Sequence, residues 1–244
     1  MRIAELLAAR NADPFQHRPV TIACLGDSVT HGCFEVFKSI RTELDTRYAP
    51  GEGYVRRLQD RLFLLYPTAA ATVINCGVGG DSAPGACARF ARDVARFAPD
   101  LVVVDLGLND ASAADPEQAL QRYVQAMRGI FEQTAALGAE AILLTPNRMC
   151  AYVDPSLPDG IAREFAEHVT RVQNEGVLAR FVASARELAA DMGVPVADAY
   201  AEWERLQAAG VDTTALLANR INHPIPEMHE IFVDVLLRTM LAQF

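Results

Sequence analysis

The stretch LVVVDLGLND, residues 101–110, joins a continuous apolar run to a glycine and a polar pair. The run 101–106 suits a strand buried on both faces, the usual environment of a strand in a parallel sheet. Four further apolar runs lie at 20–25, 72–76, 141–145 and 194–197. Segments with helical patterns lie at 54–66, 84–97, 116–137, 161–192 and 227–241. This alternation predicts an α/β fold in three layers, with a central, mostly parallel five-stranded sheet covered on both faces.

Length and composition are those of a globular enzyme. A chain of 244 residues can form one α/β domain, and the sequence shows no repeat, low-complexity tract or linker, so we expect a single domain over 1–244. The content of 51% hydrophobic and 22% charged residues excludes a disordered chain. With 22 Lys and Arg against 31 Asp and Glu, the net charge is −9. This balance argues against nucleic acid or an anionic membrane surface as the main partner.

The cysteines and the first residues bear on the compartment. The five cysteines are Cys24, Cys33, Cys76, Cys87 and Cys150. Their odd number and the lack of a CxxC pair favour buried, reduced thiols. Residues 1–10 show no signal-peptide pattern, and no window reaches the ~18 apolar residues of a membrane span. We therefore expect a cytoplasmic protein without membrane insertion; the oligomeric state stays unpredicted.

Glycines and polar side chains follow the predicted strands. They are Gly26-Asp27-Ser28, Gly77-Val78-Gly79-Gly80-Asp81, Gly107-Leu108-Asn109-Asp110 and Pro146-Asn147-Arg148, and His223-Pro224 precedes the last helix. In open α/β sheets, ligands bind beyond the carboxyl ends of the strands. These residues therefore mark the edge of the sheet where a functional site is expected.

Ser28 occupies a predicted strand-to-helix turn, where its hydroxyl is exposed and its own N–H can donate. A serine hydroxyl needs a base to become a nucleophile, and His223 is the best candidate because histidine titrates nearest neutral pH. Acyl transfer also needs donors for the developing oxyanion, which the Gly80 N–H and the Asn109 amide can supply. The structural alternative is that Ser28 only caps a helix. Asp27 is expected to be a supporting hydrogen-bonding residue rather than a reacting group.

The same residues resemble a known family. Gly26-Asp27-Ser28, Gly80, Gly107-x-Asn109-Asp110 and His223-Pro224 are similar, in order and rough spacing, to the four blocks of the SGNH (GDSL-type) hydrolases. The resemblance implies a flavodoxin-like α/β/α fold and hydrolysis of esters or thioesters without a metal or other cofactor. It also implies Ser28 as nucleophile and His223 as base, with the Ser28 N–H, the Gly80 N–H and the Asn109 amide as oxyanion hole.

Two positions depart from the family pattern. Val29 stands where the naming motif has Leu, and Arg220 stands three residues before His223, where the family usually has Asp. Either another group holds the imidazole in the correct tautomer, or none does. A backbone carbonyl, giving a Ser–His dyad, is one possibility; Asp212 or Glu227 are others.

Other functions remain open on the sequence. An α/β-hydrolase would need a G-x-S-x-G elbow, which Ser28 lacks. Three other kinds of site have little support. No nucleotide-binding motif accompanies the glycines near Gly80, and no HExxH motif indicates a zinc site. A nucleophilic role of Cys76 is also weakly supported. A flavodoxin-like binding module, or an SGNH scaffold that binds a glycan or partner without catalysis, would share the fold. Arg220 is the feature that favours the inactive scaffold.

The family's breadth suggests a small-molecule ester with a short acyl chain, such as an O-acetyl group on a sugar. Two long stretches, 33–53 and 148–160, are expected to be irregular and to shape the pocket. Side chains at helical spacing are expected in the core: Phe63, Met127, Phe131 and Phe181.

Overall fold

The computed structural model describes residues 1–39, 42 and 44–242. Their strands are β1 (Thr21–Gly26), β2 (Cys33–Phe37), β3 (Asp45–Tyr48), β4 (Thr72–Gly77), β5 (Leu101–Asp105), β6 (Glu140–Leu144) and β7 (Val196–Ala197). Five of these strands form one sheet in the order β4-β1-β5-β6-β7, and every neighbouring pair is parallel. The α/β fold with a five-stranded parallel sheet is thus confirmed. The spatial order is that of a flavodoxin-like sheet.

Helices cover both faces of the sheet. They are α1 (Arg2–Ala12), α2 (Ser28–His31), α3 (Tyr54–Leu65), α4 (Ala83–Asp93), α5 (Leu108–Ala111), α6 (Pro116–Ala136), α7 (Ile161–Asn174), α8 (Val177–Asp191), α9 (Ala199–Ala208) and α10 (His229–Leu241). Helix α10 contacts α1, α3 and α9 in one layer, while α6 contacts α4 and α8 in the other. None of these helices is long and apolar enough to cross a membrane.

Close backbone packing at the end of β1 explains its glycine. Gly26 is paired with Asp105 across the β1–β5 ladder. A Cβ atom at Gly26 would lie 2.0 Å from the Thr30 hydroxyl oxygen and 2.7 Å from the Asp105 carbonyl oxygen. Only glycine therefore allows α2 to fold back onto the strand end and start at Ser28.

The helical predictions are right in position but wrong in some boundaries. The segment 161–192 is not one helix, because Gly176 has a φ of 75° and separates α7 from α8. The segment 84–97 is helical only to Asp93, and a short 3₁₀ turn follows at Ala95–Phe97. The last helix begins at His229, after a 3₁₀ turn at Pro226–Met228. Helices α1, α5 and α9 were not predicted.

The prediction of irregular structure is wrong for one of the two stretches. The segment 33–53 contains the antiparallel hairpin β2–β3, although residues 40, 41 and 43 of its connection lie outside the described residues. The segment 148–160 contains no helix or strand, as expected.

Most side chains that were predicted to be buried are buried. One of the large apolar side chains and one of the cysteines are exceptions. Met127, Phe131 and Phe181 are buried, but Phe63 is 64% exposed because it lies on the solvent face of α3. All five cysteines are free thiols; Cys87 is only half-buried, whereas the other four are buried as expected.

Candidate active site

Ser28 begins a single helical turn at the end of β1. The Asp27 carboxylate accepts a hydrogen bond from the Val29 N–H at 2.9 Å, so it caps this turn. Gly32, with a φ of 92°, ends the turn. Ser28 therefore sits at a strand-to-helix junction, as predicted, with the cap provided by Asp27 rather than by Ser28. Its side chain is free to take part in the site, although the residue is only 6% exposed.

His223 contacts Ser28 directly. Its Nε2 lies 3.0 Å from the Ser28 Oγ, and the residue is only 8% exposed. The loop before α10 is fixed by the Asn219 side chain, whose oxygen accepts hydrogen bonds from the N–H groups of Ile221, Asn222 and His223 at 2.9–3.0 Å. The predicted pair of hydroxyl and imidazole is therefore held in hydrogen-bonding distance by the backbone of a well-anchored loop.

The other ring nitrogen of His223 has a backbone partner. Its Nδ1 lies 2.9 Å from the carbonyl oxygen of Phe34 in β2. A carbonyl oxygen can only accept, so this contact requires the hydrogen on Nδ1 and leaves the Nε2 lone pair facing the serine hydroxyl. This is the tautomer that a general base needs.

The alternatives for the missing acid differ in whether they contact the His223 ring. Arg220 has a φ of 58°, and its guanidinium donates to the Ala215 carbonyl, so it is directed away from the His223 ring. Asp212 accepts a hydrogen bond from the Tyr152 hydroxyl at 2.7 Å. Of the possibilities that the sequence left open, the backbone carbonyl is the one that contacts His223.

Sequence reasoning did not identify Phe34 itself. The register of the β2–β3 hairpin shifts between Cys33, which faces Tyr48, and Val36, which faces Thr46. Phe34 and the next residue thus form a β-bulge, and such bulges redirect backbone groups near active sites. A five-residue segment without a clear apolar alternation gives no signal for this.

Gly80 and Asn109, the candidate oxyanion donors, line the same cavity as Ser28 and His223. Gly80 has a φ of 78°, a conformation that glycine adopts without strain. One N–H of the Asn109 amide donates to the Asp81 carbonyl at 2.8 Å. Its remaining contact, to the Asp27 carboxyl at 3.4 Å, is long, so this side of the amide is available to a ligand oxygen.

Charged side chains brace the strand ends around the cavity. Arg89 forms an ion pair with Asp81 at 2.6 Å and donates to the carbonyl oxygens of Gly26 and Cys76 at 2.9 and 2.7 Å. Asp110 accepts from the Ala83 N–H at 3.0 Å and so caps α4. These contacts tie β1, β4 and α4 together. The sequence did not predict the role of Arg89.

His31 lies close to Ser28 in the sequence but does not line the cavity. Its Nδ1 accepts a hydrogen bond from the Gly79 N–H at 3.2 Å. Its ring packs against Tyr48, with the ring centroids 4.9 Å apart. His31 thus supports the loop that carries Gly80.

Burial controls the protonation of the site. It lowers the pKa of His223 to about 4, although the hydrogen bond to the Phe34 carbonyl acts in the opposite direction. Burial raises the pKa of Asp27 to about 7 and that of Asp110 to about 6, in each case assisted by repulsion from nearby carboxylates. At neutral pH the His223 ring is therefore uncharged and able to accept a proton.

The Cys76 thiol is poorly suited to act as a nucleophile. Burial raises the pKa of the Cys76 thiol to about 11, so it is protonated at neutral pH, and its Sγ lies 3.1 Å from the Asp93 carbonyl oxygen. Within the described part of the chain, no three His, Cys, Asp or Glu side chains are grouped to hold a metal ion.

The cavity over Ser28 has a volume of about 400 Å³. The hairpin β2–β3 forms one wall, with Val36, Leu44, Thr46 and Tyr48 among the lining residues. A second cavity of about 330 Å³ lies next to it and shares Val36, Leu44 and Asn219. The site thus has room for a small ligand, with further space beside it.

Comparison with known proteins identifies a family and related folds. A sequence model described as the GDSL-like lipase/acylhydrolase family matches residues 24–231. An acetylxylan esterase of Geobacillus stearothermophilus is 30% identical over 105 residues, which cover 40% of this chain and 48% of that protein. The match thus spans about half the length of this curated relative.

Solved structures share the fold. LAE5, described as an alpha/beta hydrolase enzyme from the metagenome of Lake Arreo, superposes with a TM-score of 0.66 at 22% identity, covering 92% of this chain and 96% of that one. Axe2, an acetylxylan esterase from Geobacillus stearothermophilus, gives a TM-score of 0.66 at 21% identity, covering 91% and 94%. At these identities the likeness concerns the fold.

Proposed function

The chain belongs to the GDSL-like lipase/acylhydrolase family, and we propose that it is a serine esterase with Ser28 as nucleophile and His223 as general base. The observation that carries this proposal is the contact of 3.0 Å between Nε2 and Oγ, combined with the Nδ1 contact that fixes the tautomer. Hydroxyl, base and candidate oxyanion donors open into one cavity.

The proposed reaction has two halves. The Ser28 Oγ bonds to the ester carbonyl carbon while its proton moves to Nε2 of His223. The carbonyl oxygen becomes an oxyanion and accepts from the Ser28 N–H, the Gly80 N–H and the Asn109 amide. The C–O bond then breaks, and His223 returns the proton to the departing alcohol. Water attacks the acyl-enzyme with His223 again as base, and the acid leaves as the proton returns to Oγ.

The Phe34 carbonyl supplies orientation without a full negative charge. Replacing the acid of a catalytic triad costs about 10⁴ in kcat, chiefly because the imidazole adopts the wrong tautomer. That loss does not apply here, since the carbonyl selects the right tautomer. The imidazolium formed during the reaction is stabilised by a dipole only. We therefore expect a working but less basic His223 than in an Asp-containing triad.

For the substrate we propose esters with short acyl groups, with O-acetyl groups on a sugar as the favoured class. The support comes from the curated relative and the solved structure that are described as acetylxylan esterases, and from the modest size of the cavity. Its walls combine apolar side chains, such as Phe165 and Ile221, with polar ones, such as Asp45 and Asn222. A mixed lining of this kind suits a small acyl group joined to a polyhydroxylated alcohol.

The test is hydrolysis of p-nitrophenyl esters from acetate to dodecanoate, with acetylated xylo-oligosaccharides in parallel. Ser28→Ala and His223→Ala should abolish turnover while the circular dichroism spectrum stays native. Ser184→Ala on α8 and His17→Ala on the surface are matched controls that should keep the wild-type rate. Full activity of Ser28→Ala would overturn the mechanism, and an optimum at long acyl chains would overturn the substrate class.

A further inference from the structure

We propose that Arg47 is a positioning residue, which orients His223 by holding the β-bulge whose Phe34 carbonyl contacts the ring. The proposal rests on the proposed function, since it concerns the base of that reaction. Arg47 acts through the backbone of β2 and not by contact with the reacting atoms.

The register of the hairpin places Arg47 opposite the bulge. Cys33 faces Tyr48 and Val36 faces Thr46, so Phe34 and Glu35 lie opposite the single residue Arg47. In such a bulge the extra residue is released from the regular ladder. The Phe34 carbonyl is thereby free to accept from His223, which lies 189 positions away in the chain. In a regular two-stranded ladder the carbonyls point alternately towards the partner strand and away from it, and the extra residue of a bulge changes which of them point away.

Arg47 contacts both residues of the bulge. Its guanidinium carbon lies 4.9 Å from the centre of the Phe34 ring, and its Nε donates to the Glu35 carboxylate at 2.5 Å. Two further hydrogen bonds, at 2.9 and 3.0 Å, reach the Glu52 carboxylate just before α3. One side chain thus joins the bulge to the start of a core helix. The planar guanidinium suits this task because it can stack on a ring and bind two carboxylates at once.

The remaining contacts of the bulge are also satisfied. The Phe34 side chain is fully buried and packs against the His229 ring, with the centroids 5.2 Å apart. The Thr46 hydroxyl donates to the Glu35 carbonyl at 3.1 Å. The bulge is therefore held from both sides, so that the direction of the Phe34 carbonyl is determined by its surroundings.

Arg47 does not line the cavity over Ser28, although Asp45, Thr46 and Tyr48 of the same strand do. Its guanidinium instead contacts the Phe34 ring and the Glu35 and Glu52 carboxylates. Its loss should therefore change the orientation of the base more than it changes the binding of substrate.

The contacts of Arg47 with Phe34, Glu35 and Glu52, here called the clamp, are needed because the acceptor at Nδ1 of His223 is neutral. A carboxylate on a mobile side chain draws a histidine N–H towards it by charge, and it can adjust its own position. A backbone carbonyl has a smaller partial charge and moves only with its strand. Displacement of a positioned group by about 1 Å can cost 10²-fold in rate. The accuracy of the base therefore depends on the rigidity of the bulge.

The experiment compares Arg47→Ala and Arg47→Lys with Arg56→Ala. Arg56 is an exposed arginine of α3 that pairs with Asp60 and does not touch the bulge. We expect Arg47→Ala to lower kcat by about 100-fold, with a much smaller change in KM, and Arg47→Lys to recover part of the loss. Arg56→Ala should match the wild type.

The second readout is the tautomer of His223 in protein labelled with ¹⁵N-histidine, which needs no turnover. The wild type should show a hydrogen-bonded Nδ1–H and an unprotonated Nε2, and Arg47→Ala should lose or broaden the Nδ1–H signal. Arg47→Met, which retains an apolar contact with Phe34 but no charge, replaces Arg47→Ala if the latter fails to fold.

The two readouts separate the possible failures. A native kcat together with an unchanged Nδ1–H signal in the folded Arg47 variant would overturn the positioning role. An inactive wild type with the expected tautomer change would instead contradict the proposed function and leave the clamp supported. Equal losses in Arg47→Ala and Arg56→Ala would show a general effect of surface charge, which also overturns the proposal.

Discussion

The pH dependence of ester hydrolysis tests the environment of His223 most directly. The ring is buried, its Nδ1 meets a neutral carbonyl, and burial lowers its pKa from the usual 6.5 to about 4. In the proposed mechanism, His223 must be uncharged to accept the proton of Ser28. Because kcat/KM reports the pKa values of the free enzyme, its acid limb should follow the titration of His223. We predict that this limb has its midpoint near pH 4 to 5.

The size of the effect is large enough to measure. At pH 5, a histidine with a pKa of about 4 is about 90% neutral, whereas one with a pKa of 6.5 is only about 3% neutral. The two cases differ by roughly 30-fold in kcat/KM at that pH. A histidine paired with Asp would behave like the case with the higher pKa, because a nearby carboxylate favours the charged ring.

The assay is kcat/KM for p-nitrophenyl acetate from pH 3.5 to 8, with the product read after transfer to alkaline buffer. Circular dichroism at each pH shows whether the protein remains folded. This check matters because His223 and His229 have lowered pKa values in the folded state. Between pH 6.5 and those values the unfolded chain binds more protons, so both residues reduce stability as the pH falls.

Asp27 and Asp110 act in the opposite direction. Their folded pKa values are raised to about 7 and about 6, so the folded state binds more protons above pH 3.8 and gains stability as the pH falls through this window. The opposing contributions should keep the fold intact near pH 5. A midpoint near 6.5 in protein that remains folded would refute the argument, since it would mean that the His223 ring is solvated or paired with a carboxylate.

Four further substitutions test individual side chains. Asn109→Ala should lower kcat by about 10²–10³-fold with little change in KM; an unchanged rate in acetate release would remove the amide from the mechanism. Arg220→Asp should leave kcat within about twofold of the wild type. Asp tolerates the left-handed backbone at this position, and the Phe34 carbonyl already accepts the hydrogen bond from Nδ1 of His223. A large gain in kcat would show that a carboxylate at this position reaches the ring. Asp105→Asn should change the free energy of unfolding by less than about 1 kcal/mol at pH 7, because burial raises its pKa well above the usual range and keeps the carboxyl neutral. Asp100→Asn should cost about 1.5–3 kcal/mol, since that buried carboxylate binds an arginine and a backbone N–H. Denaturant titration compares the two, and a larger loss for Asp105→Asn would contradict the neutral state.

The sheet and the residues at its edge were predictable because their signals are local. Each apolar run marks a buried strand, and parallel strands present their carboxyl ends at the same edge. Ser28, Gly80 and Asn109 follow different strands, yet the structure brings all three to one cavity. His223 joins them from a loop rather than a strand, and the sequence signal for it was the His-Pro pair in the family pattern.

The hairpin was not predictable for the opposite reason. Its strands are short and partly exposed, with the sequences CFEVF and DTRY, so they carry no long apolar face. Pairing, register and bulge depend on which residues of the two strands meet, and a single segment does not contain that information. The division of α7 from α8 at Gly176 is a similar case, since one glycine in a helical pattern is compatible with either outcome.

The arrangement around His223 shows why a missing acid in a sequence pattern is weak ground for inferring an inactive site. The requirement at Nδ1 is an acceptor in the right direction, and every residue of the chain carries a carbonyl that can meet it. Arg220 occupies the expected sequence position, but its left-handed backbone directs the side chain elsewhere, while Phe34 supplies the acceptor from a distant strand. A carbonyl gives orientation with little charge, so the ring remains a weak base that stays neutral in mild acid. Substitution of side chains cannot delete such an acceptor; it can only displace it, which is why the clamp formed by Arg47 is the place where the role of the carbonyl becomes measurable.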